Sequence, residues 1–260
     1  MFFFLDSGLP TFRDKEGFWR AYPPARKAGL DFSQVSDPRT FYENERLAWG
    51  FFGHRYHLYS KAPPHNGYQI LLELSRTKKD YFVFTSNVDG AFEKAGFSPL
   101  KIIECHGSIH YLQARDPKQT WTIVPAIETS LPNLRVDDST FEAQGVLPFL
   151  LNSQGIKIPA RPNILMFDDH EFLSERLDEQ KLRWETFINR ISQDANVAIV
   201  EIGAGSAIPT VRYTSERLLS RFTKANLIRI NIDEAEGPAR TISIPLGGRS
   251  ALESMLEARI

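Results

Sequence analysis

The chain has 260 residues, 42% of them hydrophobic, and its 31 Lys and Arg nearly cancel its 32 Asp and Glu to leave a formal net charge of −1. That length buries a large core, most simply as one α/β domain with insertions, and the charge balance gives no broad basic face for nucleic acid. No apolar run approaches the roughly 20 residues of a membrane helix, and the single cysteine, Cys105, excludes an internal disulfide and fits a reducing cytoplasm.

In chain order, Met1 to Leu5 is apolar but lacks the basic flank and length of a signal peptide. The spacing of Phe41, Trp49, Phe52 and Tyr56 after Ser36-Asp37-Pro38 predicts a helix over 38–60, and Pro63-Pro64 separates it from a second helix over 66–74. Phe82-Val83-Phe84 predicts a short buried strand running into the turn formers Asn87-Val88-Asp89-Gly90, and Lys101-Ile102-Ile103 predicts another that ends at His106-Gly107. Residues 115–160 lose periodicity, broken by Pro117, Pro125, Pro132, Pro148 and Pro159, and read as a loop-rich insertion. After it come a charged amphipathic helix over 171–191, a strand over 197–202, a helix over 212–222 and a strand over 227–232. That alternation implies a Rossmann-like, doubly wound parallel sheet.

Ligands bind open α/β sheets in the crevice beyond the carboxyl ends of the strands. One such loop offers Asn87 and Asp89, and the next offers His106, whose ordinary pKa of about 6.5 suits it to remove a hydroxyl proton near neutrality. The plainer readings are a turn that hydrogen-bonds itself and a histidine with a structural partner. Gly203-Ala204-Gly205-Ser206 lies at a strand end, where glycines let the backbone approach a ligand or simply make a turn.

Taken together, the blocks Asp6-Ser7-Gly8-Leu9-Pro10-Thr11-Phe12-Arg13, Gly17-Phe18-Trp19, Thr85-Ser86-Asn87-Val88-Asp89-Gly90, Glu104-Cys105-His106-Gly107-Ser108-Ile109, Arg161 to Phe167, Ile202 to Ser206 and Ile230-Asn231-Ile232 resemble, in order, those of the sirtuin family of NAD-dependent protein deacylases. The resemblance implies one domain over 1–260 with a helical insertion over 24–65 and a small module over 111–160. It implies NAD as cofactor and an acyl-lysine protein as partner, with no nucleic acid or membrane involved. In the family's reaction the acyl oxygen attacks the anomeric carbon of the nicotinamide ribose, nicotinamide leaves, and a histidine activates a ribose hydroxyl. His106 would be that base, with Asn87 and Asp89 holding the ribose and the nicotinamide carboxamide. The rest of the implied cofactor site is Asp6, Pro10, Thr11, Phe12, Arg13, Trp19, Ser86, Val88, Gly203, Ala204, Gly205, Ser206, Asn231 and Asp233. Ile164, Leu165, Met166, Phe167 and Asp168 would line one side of the peptide channel, Asp168 standing where many relatives have glycine.

Three departures modify these expectations. Sirtuins usually hold a structural zinc with four cysteines, which this chain does not have, so no metal is expected and the insertion should be held by Trp121, Val124, Leu147 and Phe149. Ser86 replaces a glutamine common in the family. The block from Asp6 is preceded by phenylalanines where relatives have a Gly-Ala-Gly turn, which implies either a start further upstream or a shortened relative with impaired NAD binding. The alternatives to deacylation are therefore NAD hydrolysis or ADP-ribosyl transfer in the same pocket, and a non-catalytic remnant. The oligomeric state is left open.

Overall fold

Short runs of Val, Ile and Phe closed by turn formers make the parallel strands, and the longer amphipathic stretches between them make the helices. The computed structural model describes residue 26 and residues 31–258. Phe32–Val35 (α1) is capped by Asp31, whose carboxylate accepts from the Gln34 N–H while the Gln34 side chain accepts from the Asp31 N–H. Thr40–Glu43 (α2) and Glu45–Lys61 (α3) follow. The single helix expected over 38–60 is broken at Asn44, which leaves the helical region (φ −146°, ψ 81°) and accepts from the Leu47 N–H to cap α3. Asn66–Arg76 (α4) runs past the expected end at Leu74. Val83–Thr85 (β1), Ala91–Lys94 (α5) and Ile102–Glu104 (β2) come next, with β1 and β2 parallel and Thr85 opposite Glu104.

The segment expected to be loop-rich is instead a small β module. Gly107–Ala114 (β3), Ile123–Pro125 (β4), Arg135–Val136 (β5), Ala143–Gln144 (β6), Phe149–Leu151 (β7) and Lys157–Ile164 (β8) are its strands. An antiparallel sheet has the order β4-β3-β8-β7, and β5 pairs with β6. Prolines disguised it: Pro159 and Pro162 lie inside β8, and the β3–β8 ladder shifts register between Ser108 and Leu112, an irregularity that accommodates residues lacking an N–H. Leu112, Leu131, Leu134, Phe141 and Ile158 are buried in one cluster with Trp49, Phe52 and Tyr56 of α3, so the helical stretch described from residue 31 and the β module share a core. Val124 and Leu147 pack against this cluster as expected, and Phe149 is half-buried beneath the Lys157 ammonium. Trp121 does not hold the module. It precedes the edge strand β4 and is 69% exposed.

The helix expected over 171–191 begins only at Glu175, because Asp169 draws the preceding residues into a loop. The Asp169 carboxylate meets the fully buried Arg161 guanidinium through two bonds of 2.7 and 2.8 Å and also accepts from the Met166 and Glu171 N–H groups. Glu175–Asn189 is α6, and Ala198–Ile202 (β9), Thr210–Arg221 (α7), Asn226–Ile230 (β10), Thr241–Ile244 (β11) and Gly248–Glu257 (α8) complete the chain order. β10 lies between β9 and β11, parallel to both. Trp184 and Ile188 of α6 pack with Leu219, Ile103 and Leu227 in one cluster, and Tyr68 of α4 and Leu252 of α8 pack with Ile230 in another. Parallel strands with helices on both faces are the doubly wound α/β arrangement.

Helix α3 meets the module at Gly50, where a Cβ would lie 1.9 Å from the Phe141 carbonyl oxygen. Gly50→Ala must push helix and module apart, and a loss of about 1–3 kcal/mol of unfolding free energy is expected. Urea denaturation measures it.

Candidate functional site

Because β1 and β2 run parallel and in register, the loops that leave them emerge side by side. The Cys105 N–H donates to the Thr85 carbonyl at 2.9 Å and the Ile109 N–H to the Val88 carbonyl at 3.0 Å, which fastens the loop of Ser86 to Asp89 against the chain around His106. Gly107 makes the following turn possible. Its φ is +75°, and a Cβ there would stand 2.1 Å from the Asn163 carbonyl oxygen, so no larger residue fits at the start of β3 against β8. The Leu165 N–H donates to the His106 carbonyl at 3.0 Å, bringing the residues after β8 beside the histidine.

His106 is half-buried, and burial lowers its pKa from 6.5, opposed by a hydrogen bond with the Ser86 backbone. The neutral imidazole is therefore favoured near neutral pH. At its neighbour Cys105, burial pushes the thiol up to about 12, which disfavours the nucleophilic thiolate. The Asn87 N–H donates to Thr85 Oγ1, and Asp89 Oδ1 accepts from the Ala91 N–H, both at 3.0 Å, so the self-bonded turn is real. Asp89 is 6% exposed, and desolvation raises its pKa, with Ala91 opposing and the charge of Glu104 adding to the rise. The Asp89 carbonyl accepts from His110 Nε2 at 3.0 Å.

Asn87 and Asp89 line a small pocket open to solvent, together with Thr85, Glu104, Arg176 and Gln180; His106 does not line it. Glu104 is buried, its carboxylate paired with the Arg176 guanidinium and its N–H donating to Gln180 Oε1 at 2.9 Å. Arg176 in turn stands 4.0 Å over the Tyr111 ring. Sequence reasoning passed over Glu104 as a functional residue, although an acid closing the apolar run Ile102-Ile103 signals a buried partner. Arg176 and Gln180, one turn apart on α6, supply it.

A second cluster forms at the ends of β9 and β10. Gly203, at φ +65°, donates its N–H to the Ile230 carbonyl at 2.8 Å. Asn231 Nδ2 donates to the Ala204 carbonyl at 2.8 Å, while its Oδ1 accepts from the N–H groups of Asp233 and Glu234. The structure thus brings Gly203, Ala204, Gly205 and Ser206 together with Asn231 and Asp233, and adds Glu234 and Arg212, which sequence spacing did not flag. Of the channel residues, Ile164 and Met166 are buried, Leu165 and Phe167 are exposed, and Asp168 is exposed with φ +52°. β8 stops at Ile164, where Asp169 captures the chain. Asp6, Pro10, Thr11, Phe12, Arg13 and Trp19 lie outside the described residues. Among the described residues no group of three or more His, Cys, Asp and Glu is placed to hold a metal ion.

The chain is 34% identical to an NAD-dependent protein deacylase of Aquifex aeolicus over 104 residues, 40% of this chain and 39% of that protein. It is 32% identical to one of Deinococcus radiodurans over 135 residues, 50% of this chain and 51% of that protein. The matched stretches span about half of these relatives at most. In fold the chain is similar to a Sir2 homolog in complex with NAD, with a TM-score of 0.67 and 20% identity over 99% of this chain and 85% of the other. It is likewise similar to Sir2 bound to an acetylated peptide, with a TM-score of 0.67 and 15% identity over 99% and 90%. The Sir2 family model matches residues 5–194, a span that takes in both paired loops and the β module, and the chain belongs to the Sir2 family.

Proposed function

We propose that this protein is an NAD-dependent protein lysine deacylase, transferring an acyl group from lysine to ADP-ribose and releasing nicotinamide. The observation that carries the reading is the fastening of the Asn87–Asp89 loop against His106 at the ends of β1 and β2, in a family whose relatives are named NAD-dependent protein deacylases.

The residues present fit NAD. Asn87 and the buried Asp89 face an open pocket, and Gly203 to Gly205 offer a buried backbone cradle without large side chains. When bound, NAD supplies an anomeric carbon that nicotinamide leaves and the acyl oxygen attacks. Asn87 and Asp89 hold the ribose and carboxamide, and such positioning supplies a large part of a barrier reduction. The unprotonated ring nitrogen of His106 accepts the proton of a ribose hydroxyl, a role that its lowered pKa keeps available below neutral pH. The acyl-lysine peptide lies along Leu165 to Asp168, whose exposed Leu165 and Phe167 provide apolar contact beside the histidine. A cytoplasmic location is proposed from the single reduced cysteine, and the near-neutral charge supports a protein rather than nucleic-acid partner.

The deciding experiment measures nicotinamide release from NAD with and without an acetyl-lysine peptide. Release that depends on the peptide is expected. Equal release without it would establish NAD hydrolysis instead, and no release in either case would overturn an enzymatic reading. His106→Ala is expected to lower kcat/KM for deacylation at least ~100-fold while NAD affinity by calorimetry stays within a few-fold; equal losses would make the residue structural. The acid limb of the kcat/KM profile should have its midpoint below 6.5, because the buried imidazole sheds its proton below that ordinary value. Metal analysis of purified protein should give far less than one equivalent of zinc; a stoichiometric zinc refutes the zinc-free module.

A further inference from the structure

The chain emerging from β8 carries a charge that the chemistry of deacylation does not use. After Ile164 the side chains alternate outward and inward, Leu165 being 40% exposed, Met166 8% and Phe167 43%. The backbone N–H groups of this stretch are engaged within the protein. Leu165 donates to the His106 carbonyl at 3.0 Å, Met166 to Asp169 Oδ2 at 3.3 Å and Phe167 to the Ser36 carbonyl at 3.4 Å. A peptide lying along Leu165 to Phe167 therefore meets carbonyl oxygens and side chains, and the side chains set what it admits.

Asp168 closes the stretch with an exposed carboxylate. Its position is fixed by its neighbours, since Phe167 packs on Phe32 and Asp169 is held by Arg161. Three residues of chain reach at most about 11 Å, so a peptide whose acyl-lysine lies at Leu165 beside His106 passes Asp168 within about three residues of that lysine. The guanidinium nearby is already committed. Arg39 lies in the turn that the Ser36 carbonyl fastens to Phe167, and its Nε donates to both Asp37 oxygens at 3.0 and 2.9 Å, with Nη2 on Oδ2 as well. The bond from the Arg39 side chain, foremost among several causes, holds the Asp37 carboxyl below the usual carboxylate range. Arg39 is kept charged first by that bond and then by the charges of Asp37, Asp168 and Glu43. Three carboxylates act on one guanidinium, and the rim carries an excess negative charge.

We propose that Asp168 selects acyl-lysine substrates that carry a Lys or Arg close to the modified lysine, and that it disfavours those with acidic flanks. The proposal rests on the deacylase reading and on the peptide lying along Leu165 to Asp168. An exposed carboxylate contributes little to affinity by itself. At a rim of one sign it draws in the complementary charge and repels the like one, and discrimination comes from both effects together.

Steady-state deacylation by the full chain tests this with acetyl-lysine peptides that are identical except for Arg, Gln or Glu on both sides of the acetyl-lysine. With native protein at low ionic strength, kcat/KM is expected to fall from the Arg to the Gln to the Glu peptide, by ~10-fold overall. The spread should shrink as salt is raised. In Asp168→Asn the Arg-to-Glu ratio should fall to within about 2-fold. Asp168→Gly should give the same collapse, and glycine suits the left-handed backbone at φ +52°, so this variant keeps the test sound where the asparagine misfolds. A residue that only braces the loop would slow all the peptides in parallel and leave the ratio intact. That result, or native protein indifferent to the flanks, overturns the proposal while peptide-dependent release of nicotinamide keeps the deacylase reading. No peptide-dependent release with any of the peptides overturns both.

Discussion

The site depends on the parallel register of β1 and β2, in which Thr85 faces Glu104. A register shift of one residue reverses which face every side chain of a short strand occupies. For these strands it would carry Glu104 out of reach of Arg176 and separate the Thr85 carbonyl from the Cys105 N–H that follows β2. The register is therefore guarded at its end by a buried charge and along its length by packing. Ile102 and Ile103 are both buried, the first in a cluster with Leu72 and Phe97 and the second in the cluster of Trp184 on α6. With the strands so fixed, the Asn87–Asp89 loop and His106 have one relative placement.

Buried charge recurs wherever a loop of the site must hold its shape. Arg161 and Asp169 define the turn after β8, Glu104 and Arg176 define the end of β2, and Arg229, fully buried, pairs with Glu201 and Glu216 while donating to the Glu236 carbonyl of the loop after β10. Such pairs contribute little net stability relative to a well-packed apolar replacement, yet removing one partner costs about 3–5 kcal/mol. Their effect is on position. Asp169 shows it most directly, because its two oxygens bind both a guanidinium and two backbone N–H groups, leaving residues 166–171 no freedom to continue β8 or to start α6 early.

The parallel part of the fold was legible because its strands are compact apolar runs and its helices carry one apolar stripe. The β module was not, since Pro159 and Pro162 in β8 argue against a strand to any reading based on local propensity, and only the paired register with β3 and β7 accommodates them. Asn87, Asp89 and His106 were legible from residue type and from their place after strands. Glu104, Arg176, Glu234 and Arg212 act through partners far away in sequence, 72 residues for the first pair and 22 for the second, and no local pattern encodes such a meeting. Trp121 failed for the same reason, as a large apolar residue is buried only if something covers it.

Asp168 shows how these constraints combine. At φ +52° it occupies left-handed backbone that suits glycine, and an aspartate is among the few other residues that enter it at modest cost. The conformation is imposed from both sides, since Phe167 packs edge-on against Phe32 at 6.2 Å and Asp169 is locked onto Arg161. A glycine there would ease the backbone but leave the channel rim uncharged, whereas the aspartate adds an exposed carboxylate to a segment otherwise formed by Leu165, Met166 and Phe167. Arg39, whose guanidinium is bound chiefly by Asp37, also feels the charge of Asp168, so the rim carries both signs. The backbone of this segment is set by a buried ion pair and its surface by a strained acid, which separates the fixing of the channel's shape from the tuning of what it admits.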